Sequence, residues 1–302
     1  MKIVELSGGV GGARLARGFA ALQEVELVVV VNIGDDERIH GLYVSPDLDT
    51  VVYTLAGVEG PEGWGQAGDT FFANDELARF GLDNSFRLGD RDLALNLFRT
   101  YRLDQGQPLS VITRSIARAF GLTATVLPAS DDPIRTRVRV EDGAWISFQE
   151  YFVARRHQDR VTELDYEGAA GAEPAPGVVE AIEEADLVVV GPSNPPLSIW
   201  PILGVEAIRK SVEAHPRVVA VSPLLGGRAL KGPADRVMES LGLPPGNAGV
   251  VEAYSGIVDV LVIDEGDAAD AGRLSGVEVL ITDTRIPDAL SARRLAAEIV
   301  AA

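Results

Sequence analysis

The stretch Ser7-Gly8-Gly9-Val10-Gly11-Gly12-Ala13-Arg14-Leu15 follows the apolar run Lys2–Leu6 and leads into the helical pattern Ala13–Leu22. Glycine lets a backbone approach a ligand closely, and a helix N-terminus offers unpaired N–H groups to a phosphate. The pattern is not the dinucleotide GxGxxG, because Arg14 stands where the third glycine would fall, and no Gly-Lys-Ser/Thr of a P-loop follows. A tight turn without a ligand is the simpler alternative. The run nevertheless predicts phosphate or nucleotide contacts at Gly8, Gly9, Gly11 and Gly12.

Further β-branched runs recur along the chain, at Leu27–Ile33, Leu187–Val190, Val218–Val221, Val258–Ile263 and Val277–Ile281. They are mostly apolar throughout, which is typical of strands buried on both faces of a parallel sheet. Helical patterns separate them, at Val178–Glu184, Gly204–Ala214 and Ala234–Leu241. Strands alternating with helices predict an α/β fold with a Rossmann-like, mostly parallel open sheet.

The middle of the chain has a different pattern, with fewer strands, denser helical periodicity and frequent Gly and Pro. Within it, Thr136–Phe152 alternates like a β-hairpin that turns at Asp142–Gly143. We predict that residues 43–166 form a mainly helical insertion over the carboxyl edge of the sheet. Residues 1–42 and 167–302 would then form the nucleotide-binding core, with Gly168–Pro176 as the return linker.

Composition excludes several classes of function. The chain has 302 residues, 46% hydrophobic, with a net charge of −18 and no cysteine. The negative charge argues against nucleic-acid binding, and the lack of cysteine excludes disulfides and thiolate chemistry. The longest apolar run, Leu27–Val31, is too short to span a membrane, and the N-terminal sequence has no basic-then-apolar leader. We therefore expect a soluble cytoplasmic protein.

Two acidic motifs follow the glycine loop. Asp35 and Asp36 end the second strand, where ligands of open α/β sheets gather and where adjacent carboxylates suit Mg²⁺. Asp47 and Asp49 lie in Ser45-Pro46-Asp47-Leu48-Asp49-Thr50, just before an apolar stretch. Taken alone, Asp35 and Asp36 would be interpreted as a solvated turn or a helix cap, and Asp49 or Thr50 could be merely an N-cap. Four aspartates close together after a glycine loop favour a functional site.

Other polar motifs are more ambiguous. Gly191-Pro192-Ser193-Asn194-Pro195-Pro196 follows a buried strand, and it is either a ligand-binding turn or a proline-stiffened connection. Arg87 opens the charged loop Arg87–Asp92, which alone resembles a surface salt-bridge cluster. Arg135, Arg137 and Arg139 share one strand face, as an anion patch or, more commonly, a solvated outer face.

Together these motifs resemble the CofD/FbiA family, the 2-phospho-L-lactate transferases. The resemblance runs in order through nearly the whole chain, in SGGVGGARL, VVVNIGDD, SPDLDTVVYTLAG, LGDRD, LPASDDP, FQEYFV, GPSNPPLSI, SPLLGG and KGPAD. Relatives that bind UDP-sugars share the glycine loop and the paired Asp, but SPDLDT with LGDRD points to the deazaflavin branch.

The resemblance implies a phospho-acid transferase of coenzyme F420 biosynthesis. Such an enzyme takes a guanosine diphosphate-linked acid and transfers the phospho-acid to the ribityl hydroxyl of the deazaflavin Fo, releasing GMP. The family also implies a homodimer. The donor acid, which is lactate, enolpyruvate or glycerate within the family, is not indicated by any residue. A non-catalytic UDP-sugar-binding regulator of the same superfamily is the alternative.

The resemblance also assigns roles to particular residues. Asp49 and Arg87 match the Fo-binding positions, although some members carry Lys in place of Arg87. The candidate Mg²⁺ ligands are Asp35, Asp36 and Asp49, with Asp47 a weaker one. The glycine loop with Ser193 and Asn194 would hold the guanylyl nucleotide. Asp35 and Asp49 are the candidate catalytic residues, and Asp49 acts either as proton acceptor or as metal ligand, which the sequence leaves open.

Overall fold

The computed structural model describes residues 1–302, and its central feature is a sheet of seven strands whose neighbours all run parallel. The strands of the chain are β1 Lys2–Ser7, β2 Glu26–Val31, β3 Glu37–Ile39, β4 Leu42–Val44, β5 Thr125–Pro128, β6 Arg135–Val140, β7 Trp145–Ser147, β8 Val161–Glu167, β9 Leu187–Val190, β10 Val218–Val221, β11 Leu224–Leu225, β12 Arg228–Ala229, β13 Val260–Asp264 and β14 Glu278–Thr282. Every strand predicted from the sequence is among them.

The central sheet has the order β14-β13-β10-β9-β1-β2-β5. The chain builds outward from β1 to β2 and β5, then crosses back to β9 and builds outward to β14. This is a Rossmann-like order, and ligands of such sheets bind where the direction of building reverses, here between β1 and β9. All four residues of β9 are buried, as expected for a strand covered on both faces. The predicted fold class is confirmed.

Helices cover both faces of this sheet. They are α1 Gly9–Ala20, α2 Pro46–Ala56, α3 Phe72–Arg79, α4 Asp90–Asp104, α5 Leu109–Ala119, α6 Val178–Glu183, α7 Trp200–Leu203, α8 Glu206–Glu213, α9 Ala234–Ser240, α10 Asn247–Ala253 and α11 Ala289–Ala301. The first and last helices cross closely, since a methyl group on Gly18 would lie 2.2 Å from the carbonyl oxygen of Ala292. None of the helices combines the length and the apolar character needed to cross a bilayer.

The segment 43–166 is more mixed than the sequence suggested. It carries α2 to α5, and it also supplies β5, which pairs with β2 as an edge strand of the central sheet. The predicted hairpin is confirmed, because β6 and β7 pair antiparallel and β8 completes a separate three-stranded sheet. The Thr136 amide donates to the Gly34 carbonyl at 2.8 Å and so joins this small sheet to the loop after β2. The division into core and insertion stays a prediction.

Candidate active site

The glycine loop lies at the carboxyl end of β1, beside the carboxyl end of β9. The Ser193 hydroxyl accepts a hydrogen bond from the Gly8 amide at 3.1 Å and donates one to the Gly8 carbonyl at 2.7 Å. Asn194 accepts a hydrogen bond from the Leu197 amide and caps the turn that follows. Ser193 therefore holds the loop in place across the topological switch point, a role that the sequence did not indicate. The predicted nucleotide contacts of both residues stay predictions.

The glycines of the loop are required partly by close packing. A methyl group on Gly12 would lie 2.3 Å from the Ser7 hydroxyl oxygen, and one on Gly11 would lie 2.3 Å from the Pro192 carbonyl oxygen. Real side chains do not approach so closely, so these positions bring α1 directly against the end of β9. The result is a start of α1 that is partly exposed at Gly9, Val10 and Gly11, where the first amides have no partner within the helix. That arrangement suits an anion.

Asp47 joins the glycine loop to the loop after β2. Its carboxylate accepts hydrogen bonds from the Gly9 amide at 2.7 Å and from the Asn32 side-chain amide at 2.9 Å. Burial raises the pKa of Asp47 to about 6, although both hydrogen bonds oppose this shift. The Asn32 side chain also accepts from the Gly34 amide at 2.8 Å. Asn32 thus orders the acidic loop, and its position directly after β2 was the only sequence signal for it.

Asp35 and Asp36 are buried beside this junction, with 4% and 1% of their surface exposed. Burial, followed by the charges of Asp47 and Asp36, raises the pKa of Asp35 well above its ordinary value. Burial also raises the pKa of Asp36 to about 7, against the nearby charge of Arg135. The Ser45 hydroxyl donates to one oxygen of Asp36 at 2.9 Å, whereas the other oxygen is buried without a partner. Neither aspartate forms an ion pair. Burying these two carboxylates without a counter-charge costs free energy, which is typical of a functional site.

The donor set fits a hard cation only in part. Two adjacent carboxylates, one with an unpartnered oxygen, match the one or two protein ligands that Mg²⁺ normally takes alongside water and phosphate oxygens. No group of three or more acidic, histidine or cysteine side chains lies close enough together to enclose a metal ion. Asp35 and Asp36 could therefore hold a shared cation, which would need further ligands from a substrate.

Asp49 has a different environment from the one that the sequence suggested. It lies on α2, where both of its oxygens accept hydrogen bonds from Arg99 of α4, the one from Nη1 at 3.2 Å. The Arg99 side chain is 1% exposed, so this is a buried, bidentate ion pair. Burial raises the pKa of Asp49, although the charge and the hydrogen bonds of Arg99 oppose this shift. The guanidinium also competes with a metal for the carboxylate oxygens. The geometry gives no support to Asp49 as a metal ligand or proton acceptor, and those roles stay predictions.

Arg87 lies on the surface of the covering segment. Its guanidinium is 3.5 Å from Asp75 and packs over the ring of Phe71, 4.3 Å from the ring centroid. About half of its side chain is exposed. The structure shows no contact between Arg87 and Asp49, the two residues that match the Fo-binding positions, and the role of Arg87 in binding Fo stays a prediction.

The chain resembles known proteins both in sequence and in fold. Residues 3–298 match the sequence profile of the family described as 2-phospho-L-lactate transferase CofD. The chain is 42% identical to the 2-phospho-L-lactate transferase of Methanopyrus kandleri, over 99% of this chain and 97% of that one. It is also 42% identical to the phosphoenolpyruvate transferase of Streptomyces griseus, over 92% and 89% of the two chains. A UPF0052 family protein from Bacillus halodurans shares the fold, with a TM-score of 0.66 at 18% identity over 99% of this chain and all of that one. The chain therefore belongs to the CofD family of 2-phospho-L-lactate transferases, and it is a transferase of coenzyme F420 biosynthesis.

Proposed function

We propose that this chain transfers the phospho-acid group of a guanosine diphosphate-linked acid to the terminal ribityl hydroxyl of Fo. The hydroxyl oxygen forms a new bond to the phosphorus that carries the acid, and the bond from that phosphorus to the bridging oxygen breaks. GMP leaves with the bridging oxygen and its electron pair, and the hydroxyl proton passes to a carboxylate or to water. The printed names of the relatives support the class of donor, since they are phospholactate and phosphoenolpyruvate transferases.

The observation that carries the proposal is the buried pair Asp35 and Asp36 beside the start of α1. Phosphoryl transfer depends mainly on positioning and on neutralising the charge that develops on phosphate oxygens. The amides at the start of α1 would bind the guanylyl phosphate, and the aspartate pair would hold Mg²⁺ against the diphosphate. When bound, Mg²⁺ supplies the positive charge that the leaving GMP requires.

In this proposal Asp49 binds Fo and is neither a metal ligand nor the proton acceptor. Both oxygens of Asp49 accept hydrogen bonds from Arg99, but they keep lone pairs that can accept a further hydrogen bond. We place Asp49 as a fixed acceptor for the ribityl chain of Fo, held at the correct position by Arg99. The hydroxyl proton then goes to a carboxylate that has no arginine partner, such as Asp47, whose pKa burial raises to about 6.

The test is an assay with Fo and each of the three guanosine diphosphate-linked acids, phospholactyl, phosphoenolpyruvyl and phosphoglyceryl, with product masses read out. Transfer from at least one donor with equimolar release of GMP is expected, and chelation with EDTA should abolish it. Full turnover in excess EDTA would remove the metal from the proposal. Tight binding of a UDP-sugar, without binding of Fo, would instead identify a non-catalytic regulator.

A further inference from the structure

A cavity of about 370 Å³ adjoins the loop that carries Asp35 and Asp36. It lies between this loop and the three-stranded sheet, with Arg135 on the β6 side and Trp145, Ile146 and Phe148 on the β7 side. The cavity therefore combines the proposed reaction centre, a cation and an apolar wall. This combination suits a small molecule that has both a charged end and a short carbon chain.

Arg135 differs from the two other arginines on its strand face. Arg137 is paired with Glu167 at 3.6 Å, and Arg139 is paired with Glu163 at 2.9 Å. Arg135 takes part in no ion pair; it donates to the Ile134 carbonyl at 2.7 Å and packs over the Tyr43 ring, 5.3 Å from its centroid. It is also less exposed than Arg139. A half-buried guanidinium with unused donors in a cavity wall is a site for an anion.

The acids of the cavity leave Arg135 available. The carboxylate of Glu37 accepts a hydrogen bond from the Ser147 hydroxyl at 3.0 Å, and Glu150 is paired with Arg155 at 2.8 Å. Asp35 and Asp36 are near enough for the charge of Arg135 to lower their pKa, yet neither is within ion-pair distance of it. The Tyr43 hydroxyl lies next to both Arg135 and Asp36, and neither of these charged groups is neutralised by the other.

We propose that Arg135 binds the carboxylate of the phospho-acid group, so that this cavity is the acid subsite of the donor. The inference rests on the proposed function, in which the phosphorus lies at the aspartate pair. In the phospholactyl and phosphoenolpyruvyl donors the carboxylate is attached to the carbon that bears the ester oxygen, so it must lie close to that phosphorus. Arginine matches a carboxylate with two parallel N–H donors, and the apolar wall faces the remaining carbons.

The competing role for Arg135 is purely electrostatic. In that case the guanidinium only offsets the charge of Asp35 and Asp36 and contacts no part of the donor. The two roles predict different kinetics, because the acid is present in the donor and absent from GDP. A carboxylate anchor affects the donor alone, whereas a general charge effect changes donor and GDP together.

The experiment compares Arg135→Met and Arg135→Lys with Arg139→Met, a matched control on the same strand face. For the donor that the natural protein uses, Arg135→Met should raise KM about 10- to 100-fold, the usual cost of losing a hydrogen-bonded charge. The inhibition constant of GDP should change less than about twofold, which is within ordinary surface effects. Arg135→Lys should recover part of the loss, and Arg139→Met should have no effect. Thermal unfolding shows whether each variant is folded.

An unchanged donor KM in folded Arg135→Met would overturn the acid subsite while leaving the proposed function intact. Equal losses for donor and GDP would establish the electrostatic role instead. If the natural protein used none of the three donors, the proposed function would fail first. Titration with phosphoenolpyruvate in the presence of Mg²⁺, followed by tryptophan fluorescence, then tests the cavity alone. Binding that Arg135→Met weakens supports the subsite, and no binding to the natural protein rejects it.

Discussion

Two neighbouring regions of this protein differ in the exposure and the pairing of their charged side chains. On the outer face of the three-stranded sheet, Arg137 and Arg139 pair with glutamates across the strands, and all of these side chains are partly solvated. At the carboxyl ends of β1 and β2, Asp35, Asp36 and Asp47 are buried, and none has a cation within ion-pair distance. The pKa of each of the three is raised by burial.

The difference separates charged residues whose substitution should have little effect from those whose substitution should change stability or activity. Exposed ion pairs contribute little to stability, because water and salt already screen them. Buried, unpaired carboxylates cost free energy, and a protein keeps them where a ligand or a reaction needs them. The contrast therefore marks the strand ends as the functional region and exposed pairs such as Arg139 with Glu163 as scaffold. Four experiments test this contrast.

Arg99→Met should lower the free energy of unfolding by about 3–5 kcal/mol, because it leaves Asp49 buried without its counter-charge. Urea unfolding measures this loss. The double variant Arg99→Met with Asp49→Asn should recover a large part of it, since no uncompensated charge then remains. A loss below about 1 kcal/mol in the single variant would show that this pair behaves like an exposed one.

Asp35→Asn should reduce kcat about 100- to 1,000-fold, equivalent to about 3–4 kcal/mol of barrier, by removing one of two carboxylates at the proposed cation site. Stability should stay equal or rise, because the change removes like-charge repulsion from Asp47 and Asp36. Transfer kinetics and urea unfolding on the same preparations separate these effects. Unchanged kcat would assign Asp35 to the scaffold.

The stability of the natural protein should fall, relative to that of Asp36→Asn, as the pH rises from about 4 to about 7.5. The pKa of Asp36 is raised from 3.8 to about 7 on folding. A raised folded pKa means that its contribution is fully present below the unfolded value and is lost as the pH passes the folded value. Between pH 5 and pH 7.5 the difference should change by about 2–3 kcal/mol, and Mg²⁺ should reduce this change at the upper pH. Unfolding midpoints at pH 5 and 7.5, with and without Mg²⁺, measure it. Parallel pH profiles for the two proteins would contradict the raised pKa of Asp36 in the folded state.

Arg139→Met should change the free energy of unfolding by less than about 0.5 kcal/mol, because its pair with Glu163 is solvated on both sides. The change should become smaller still in high salt. Calorimetric unfolding at two salt concentrations is sufficient. A loss comparable to that of Arg99→Met would remove the distinction between the two regions.

Most of the fold could be predicted from local patterns. Apolar runs such as Leu187–Val190 indicated strands buried on both faces, and the glycine loop indicated a close strand-to-helix turn. The edge strand Thr125–Pro128 was missed, because it is short and lies within a helical region. The Asp142–Gly143 turn predicted the hairpin correctly, since the residues that favour such a turn are adjacent in the chain.

The site could be predicted only in part. The sequence by itself determined where Asp35 and Asp36 lie, because residues that directly follow a buried parallel strand must emerge at the carboxyl edge of the sheet. Only the tertiary structure decided their partners. Ser193 reaches Gly8 across 185 positions, and Arg99 reaches Asp49 across 50. Local periodicity tells that a side chain is buried, but the packing of separate elements selects the group that it meets. The same reason explains why Arg135, one of three similar arginines in the sequence, is the one that faces a cavity without an ion-pair partner.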